Sequence, residues 1–132
     1  MPNPSLDVAN YLSSAGIGLT LGANLFEGPI RPVSNSVPAQ SVFVSAPTGG
    51  FAPERTLGRT TELRRPVVQV RVRSPAWEDG QSLAQAVFET LESADIPGYL
   101  DVTMAQSQPM FIGEDENGNY HWSMDVELLY QT

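Results

Sequence analysis

The sequence predicts an α+β fold: one mainly antiparallel mixed sheet of five to six strands, two helices packed on one face, and a long mobile arm. In the segment Arg64–Arg73, valines and polar residues alternate, which is typical of a half-buried strand. In the segment Tyr120–Tyr130, every even position is apolar. The segment 83–94 instead carries apolar residues at helical spacing. Valines on one face of a sheet need a second layer, and these helices supply it.

Two helices follow from capping signals and apolar spacing. The first begins near Ser5, a candidate N-cap, and ends at Gly16. The main helix has Pro75 in its first turn and ends at Ile96-Pro97-Gly98. Gly80 lies near its start and weakens it by roughly 1 kcal/mol relative to alanine.

Four further strands complete the predicted sheet. They are Asn24–Glu27, Ser41–Ser45, Tyr99–Gln106 and Pro109–Gly113. Each is bounded by glycine, proline or other turn-forming residues. Asn117-Gly118 predicts a two-residue hairpin turn before the last strand.

The arm is predicted between Pro47 and Glu62, where glycine, proline, threonine and charge are mixed. Phe51 and Leu57 are its large apolar residues, and Arg55 and Arg59 are its basic residues. A connection of this length in a compact domain is usually functional or disordered. It is therefore either a floppy hairpin tip or an arm that becomes ordered on assembly.

Composition limits the function classes. A chain of 132 residues fits a single domain, 1–132. Its seven arginines, no lysine and fifteen acidic residues give a formal charge of −8, which argues against a duplex-binding surface. Without cysteine, neither a disulfide nor a thiolate metal site is available. No apolar run approaches the roughly 20 residues that span a bilayer, and no signal peptide is expected.

The sequence predicts no catalytic, cofactor or metal site. The single histidine, His121, lies within a regular strand, and no G-x-S-x-G motif offers a nucleophile. The residues from Asp115 onward imitate a calcium loop, but Tyr120 occupies its glycine position and Val126 its glutamate position. The carboxylates 114–116 are expected to be solvated at a turn rather than to form an acid/base pair.

Charged residues on the polar sides of the strands are the candidate contact residues. Arg71 and Arg73 lie on the central strand, and Asp125 and Glu127 lie on the last strand. Cross-strand pairing between them is expected within one subunit or between subunits. Each exposed pair is worth less than about 1 kcal/mol, so these pairs are expected to set register or a subunit contact.

Several segments together resemble the minor capsid or tail terminator proteins of long-tailed bacteriophages. They are the helix ending in Gly16-Ile-Gly18, Asn24–Gly28, Arg65–Arg73, the helix after Trp77, and Ile112–Gly118 with the final strand. The arm 47–62 carries no matching pattern. The resemblance covers nearly the whole chain in order, although each motif is short.

The resemblance implies a structural virion protein without enzymatic activity or cofactors. It would form a hexameric ring at the head-proximal end of the tail tube, stop tube growth and meet a neck or connector protein. DNA would pass through the ring without sequence-specific binding, and no membrane is involved. The expected contact residues are Arg71, Arg73, Asp125, Glu127, Phe51, Arg55, Leu57 and Arg59. The alternatives are a head-to-tail connector or stopper ring, a monomeric binding module, or a hydrolase.

Overall fold

The computed structural model describes residues 2–55 and 61–132, apart from the side chain of Arg55. These residues form two helices and eight strands. In chain order the elements are α1 (Pro4–Ser14), β1 (Leu25–Glu27), β2 (Ser41–Ser45), β3 (Glu54–Arg55), β4 (Glu62–Arg64), β5 (Val67–Ser74), α2 (Trp77–Glu92), β6 (Asp101–Met104), β7 (Met110–Glu114) and β8 (Tyr120–Gln131).

The sheet is mixed and mainly antiparallel, which confirms the predicted fold class. Strand β1 pairs in parallel with β2, and the remaining pairings are antiparallel. The order β1-β2-β5-β8 forms its body, and β8 also pairs with β6 and β7. The 12-residue strand β8 is therefore the element to which most of the sheet is attached.

The six predicted strands are all present, and β3 and β4 are additional. Strand β4 pairs with β8 in the same register as β5, since Leu63 faces Gln131 and Val67 faces Glu127. The two strands thus form one line along β8, interrupted at Pro66. Proline has no N–H to donate to a strand ladder, although the Pro66 carbonyl still accepts from Leu128 N–H (3.0 Å).

Both helices pack on one face of the sheet, as the apolar periodicity predicts. Buried residues from α1, α2 and the strands form one core there: Val8, Leu12, Leu25, Val42, Val44, Val68, Val70, Val72, Ala84, Val87, Phe88, Leu91, Trp122, Met124, Val126 and Leu128. The N-cap of α1 is Asn3 rather than Ser5, because Asn3 Oδ1 accepts from Leu6 N–H (3.4 Å). Ser5 lies inside the helix and donates to Glu27 instead.

The sheet face opposite the helices, called the open face here, is less solvated than the alternating pattern predicts. A second apolar cluster of Phe26, Val37 and Phe43 covers part of it. His121 and Ser123 are also buried on this face. The expectation of a wet face is wrong there, because the connection between β1 and β2 folds back over the sheet.

The base of the predicted arm is a strand pair. Glu54 pairs with Leu63, and Arg55 pairs with Glu62. Strands β2 and β3 therefore lead into the arm, and β4 and β5 lead back from it in the antiparallel direction. Gly50 (φ +86°) packs against the backbone between β4 and β5, where an added Cβ would clash with Arg65 O. Mobility of the arm stays a prediction.

Candidate interaction surfaces

Arg73 is an internal structural residue, contrary to the expectation of an exposed contact. Only 3% of its surface is exposed. Its Nε and Nη2 donate to the carbonyls of Ala39 and Pro38 at 3.0 Å, and Nη1 donates to Arg31 O. The guanidinium also lies over the Phe43 ring, 5.0 Å from its centroid. Arg73 therefore fastens the connection between β1 and β2 to the sheet.

The expected pairs between these arginines and the carboxylates of β8 do not form within the described residues. Arg71 faces Ser123, and Asp125 faces Gln69, so opposite charges are displaced from each other along the strands. Asp125 instead binds Gln106 twice, through its Oδ2 and its backbone N–H, each at 3.0 Å. Arg71, Asp125 and Glu127 remain partly exposed.

The hairpin between β7 and β8 has a three-residue loop rather than the predicted two-residue turn. Asp115 N–H donates to Asn119 O (2.9 Å), and residues 116–118 lie between them with Gly118 at φ +81°. The Asp115 side chain closes the loop, because its Oδ1 accepts from Asn117 N–H (2.8 Å) and Asn119 N–H (3.0 Å). Its Oδ2 lies 2.8 Å from Nε2 of His121.

His121 is bonded to the hairpin between β7 and β8. The residue is 9% exposed, and within the described residues its side-chain hydrogen bond goes to Asp115 rather than to a serine. Nδ1 is buried without a hydrogen-bond partner. The described residues also contain no cluster of three or more histidine, aspartate and glutamate residues able to hold a metal ion.

The Asp115 carboxylate gives the fold an acid-sensitive contact. The hydrogen bond from His121, followed by that from Asn119 N–H, lowers the pKa of Asp115 to about 2. Arg73 on β5 interacts electrostatically with Asp115, and a cavity is lined by Arg71, Glu114 and Asp115. Because the folded pKa lies below the unfolded value of about 3.9, this contribution is present above pH 4 and is lost between pH 4 and pH 2.

We expect Asp115→Asn to remove this contribution at neutral pH. Urea unfolding of both proteins should show a difference in free energy of unfolding that is constant from pH 6 to about pH 4 and shrinks between pH 4 and pH 2. Glu116→Gln, in the same loop but without these bonds in the described structure, is the control. A difference independent of pH would show that Asp115 acts through the turn geometry alone.

The predicted arm residues can be placed only in part. Phe51 is 60% exposed and lies beside the hairpin base. The backbone of Arg55 belongs to β3, while its side chain, Leu57 and Arg59 lie outside the described residues. Two other arginines nearby are paired within the arm base, Arg64 with Glu62 (2.6 Å) and Arg65 with Glu54 (3.5 Å).

An exposed apolar edge is the contact surface that the sequence reasoning missed. Met110, Phe111 and Ile112 of β7 are each more than 40% exposed, and so is Trp77 at the start of α2. Trp77 lies edge-on against Phe111, with ring centroids 4.8 Å apart. In the described residues β7 pairs with β8 alone. Three consecutive apolar residues in a strand with one wet side were the available signal.

The length and apolar character of the two described helices decide whether either could span a membrane. Neither α1 nor α2 combines the length and apolar character needed to cross a bilayer.

Comparison with known proteins identifies the family. A family model described as bacteriophage tail terminator protein matches residues 11–132. A chain from a solved structure titled "Virion of native gene transfer agent (GTA) particle" has a TM-score of 0.66 and 11% identity, covering 98% of this chain and 96% of that chain. At this identity the likeness shows a shared fold. None of the curated proteins matches the chain. The chain therefore belongs to the bacteriophage tail terminator family and is a structural protein of the phage virion tail.

Proposed function

We propose that copies of this chain form a closed ring, hexameric by resemblance to the family, at the head-proximal end of the tail tube. The ring ends tube polymerisation and joins the tail to a neck or connector protein. Family membership across residues 11–132 supports this role. The formal charge of −8 also suits a passage through which DNA must slide without binding.

The observation that carries the ring proposal is the position of two dissimilar surfaces. The arm leaves the sheet where β4 pairs with Gln131 and Tyr130, at one end of β8. The exposed edge of β7 lies beside residues 120–123, at the other end. A strand rises about 3.3 Å per residue, so the surfaces lie roughly 25 Å apart. In a head-to-tail contact, one surface of a subunit binds the other surface of the next subunit. Repeating this contact gives a closed ring when the rotation between neighbouring subunits divides a full turn.

The charge distribution supports the same arrangement. Four of the seven arginines fall between positions 55 and 65, whereas residues 114–116, in and after β7, are all acidic. We assign the subunit contact to Arg71, Asp125, Glu127, Phe51, Arg55, Leu57 and Arg59. Arg73 is left out of this set because it is buried within the subunit.

Size-exclusion chromatography with light scattering tests the ring, with the protein alone and with the tail tube protein. We expect a discrete oligomer in at least one of these conditions, and tubes of defined length when the chain is added during polymerisation. Phe51→Ser should reduce the oligomer, whereas Val33→Ser, at an exposed apolar residue in the connection between β1 and β2 that belongs to neither surface, should not. Protein that stays monomeric at high concentration under both conditions contradicts the proposal.

A further inference from the structure

Among the described residues of this strongly acidic protein, Arg71 is a cation without a partner. The structure describes five arginine side chains, and four of them have partners: Arg31 with Glu27 O, Arg64 with Glu62, Arg65 with Glu54, and Arg73 with three carbonyls. Arg71 has no hydrogen bond or ion pair to another described residue, and its Nε is buried. Burial lowers the pKa of the Arg71 guanidinium.

A cavity of about 330 Å³ opens at this guanidinium. Two of its lining residues, Arg71 and His121, belong to the neighbouring strands β5 and β8. The others come from β7 and the start of the following loop: Ile112, Gly113, Glu114 and Asp115. Gly113 sits at a β-bulge opposite His121 with φ +135°, and a Cβ there would meet nothing within 4 Å. The backbone at this bulge has a positive φ that favours glycine, and no side chain projects from it into the cavity.

The lining carboxylates do not neutralise Arg71. Asp115 already accepts from two backbone N–H groups and from His121. Glu114 is exposed and forms no ion pair with Arg71. His121 also keeps an unpartnered, buried Nδ1 while its Nε2 is bound to Asp115. When both ring nitrogens carry protons, one N–H donates to Asp115 and the other is available to a second acceptor.

We propose that the cavity at Arg71 and His121 receives a carboxylate side chain from a neighbouring copy of this chain. The inference rests on the proposed ring and names the contact that orients one subunit on the next. A guanidinium binds a carboxylate through two parallel N–H donors, and a cavity of about 330 Å³ has room for an acidic side chain. The fifteen acidic residues of each copy exceed its seven basic ones, so a second copy brings unpaired carboxylates.

A nucleic acid fits this cavity less well. Glu114 and Asp115 line it, and Asp125 and Glu127 lie farther along β8 on the same sheet face. A phosphate chain would bring repeated negative charges against these groups, whereas one carboxylate can enter alone.

Replacing Arg71 by methionine tests the inference, because the two possible roles predict opposite effects. In the isolated subunit the partly buried Arg71 charge has no partner among the described residues, so it lowers the free energy of unfolding. Arg71→Met should therefore leave the thermal midpoint of the monomer unchanged or raise it by about 3 °C. The same variant should raise the concentration needed for ring assembly at least about tenfold. Arg31→Met, at an exposed arginine outside the cavity, should change neither quantity.

A lower monomer midpoint for Arg71→Met would show that Arg71 is structural and would overturn the inference. Unchanged ring assembly would also overturn it while leaving the proposed function intact. If the wild-type chain never assembles, the proposed function itself fails.

Cross-linking identifies the occupant. The chain has no cysteine, so Ile112→Cys places one benzophenone maleimide probe at the cavity. In rings assembled from ¹⁴N and ¹⁵N copies with tube protein and DNA present, we expect mixed-isotope cross-links to a peptide that contains aspartate or glutamate. Cross-links that go only to tube protein or to DNA would refute the assignment to a second copy.

Discussion

Arg73→Met is expected to lower the free energy of unfolding of the subunit by about 3 kcal/mol. The substitution removes three charge-assisted hydrogen bonds to the carbonyls of Arg31, Pro38 and Ala39. A buried group that loses its partner costs about 1 to 3 kcal/mol. We expect the total loss not to exceed about 3 kcal/mol, because the connection between β1 and β2 is largely exposed and water can bind some of the carbonyls that lose Arg73.

Arg71→Met is the matched control for this prediction. The two arginines lie on one strand and on one face, two positions apart, yet Arg71 has no bonds to lose within the described residues. Urea unfolding measures both free energies, and hydrogen exchange should show faster exchange at Val37 in Arg73→Met alone, since its N–H is bonded within this connection. Equal free energies for the two variants would contradict the assigned role of Arg73.

The contrast between these arginines shows where sequence reasoning stops. The alternation of β5 correctly predicts that Arg71 and Arg73 share a face and that Val68, Val70 and Val72, on the other face, are buried. Alternation reports a side chain's direction relative to its own strand. It contains no information about a distant chain segment folding over that face. Here the connection between β1 and β2, which precedes β5 in the chain, binds Arg73 and buries it, whereas Arg71 stays partly exposed.

The same limit applies to the contact surface. Period and turn signals predict the six main strands, both helices and their common face, because these depend on local apolar spacing. They do not predict β3 and β4, because these strands have only two and three residues and pair with each other across the arm. They also do not predict that β7 is exposed, because its apolar run resembles that of an ordinary buried strand. The cavity at Arg71 depends on a bulge at Gly113, which shifts the register by one residue.

Gly80→Ala is expected to destabilise the subunit by about 2 kcal/mol, although alanine is the better helix former. In an exposed helix interior this substitution gains about 1 kcal/mol. Here the added Cβ would lie 2.4 Å from Cζ3 of Trp122 and 2.8 Å from Cβ of Ser74. Overpacking a core typically costs 1 to 3 kcal/mol, and the clash is severe enough to exceed the gain. Ser82→Ala, exposed in the same helix, should instead be neutral or slightly stabilising.

Trp122 has little freedom to relieve this clash. Its ring is 1% exposed, its Nε1 donates to Gln81 Oε1 (2.9 Å), and Trp77 packs against it with ring centroids 5.3 Å apart. Phenylalanine lacks the outer ring atoms that the new Cβ would meet. Gly80→Ala should therefore cost less in a Trp122→Phe background than in the wild type, giving a coupling energy of about 1 kcal/mol in a double-mutant cycle of urea unfolding. Additive losses would show that the cost of the added Cβ does not arise at the Trp122 ring.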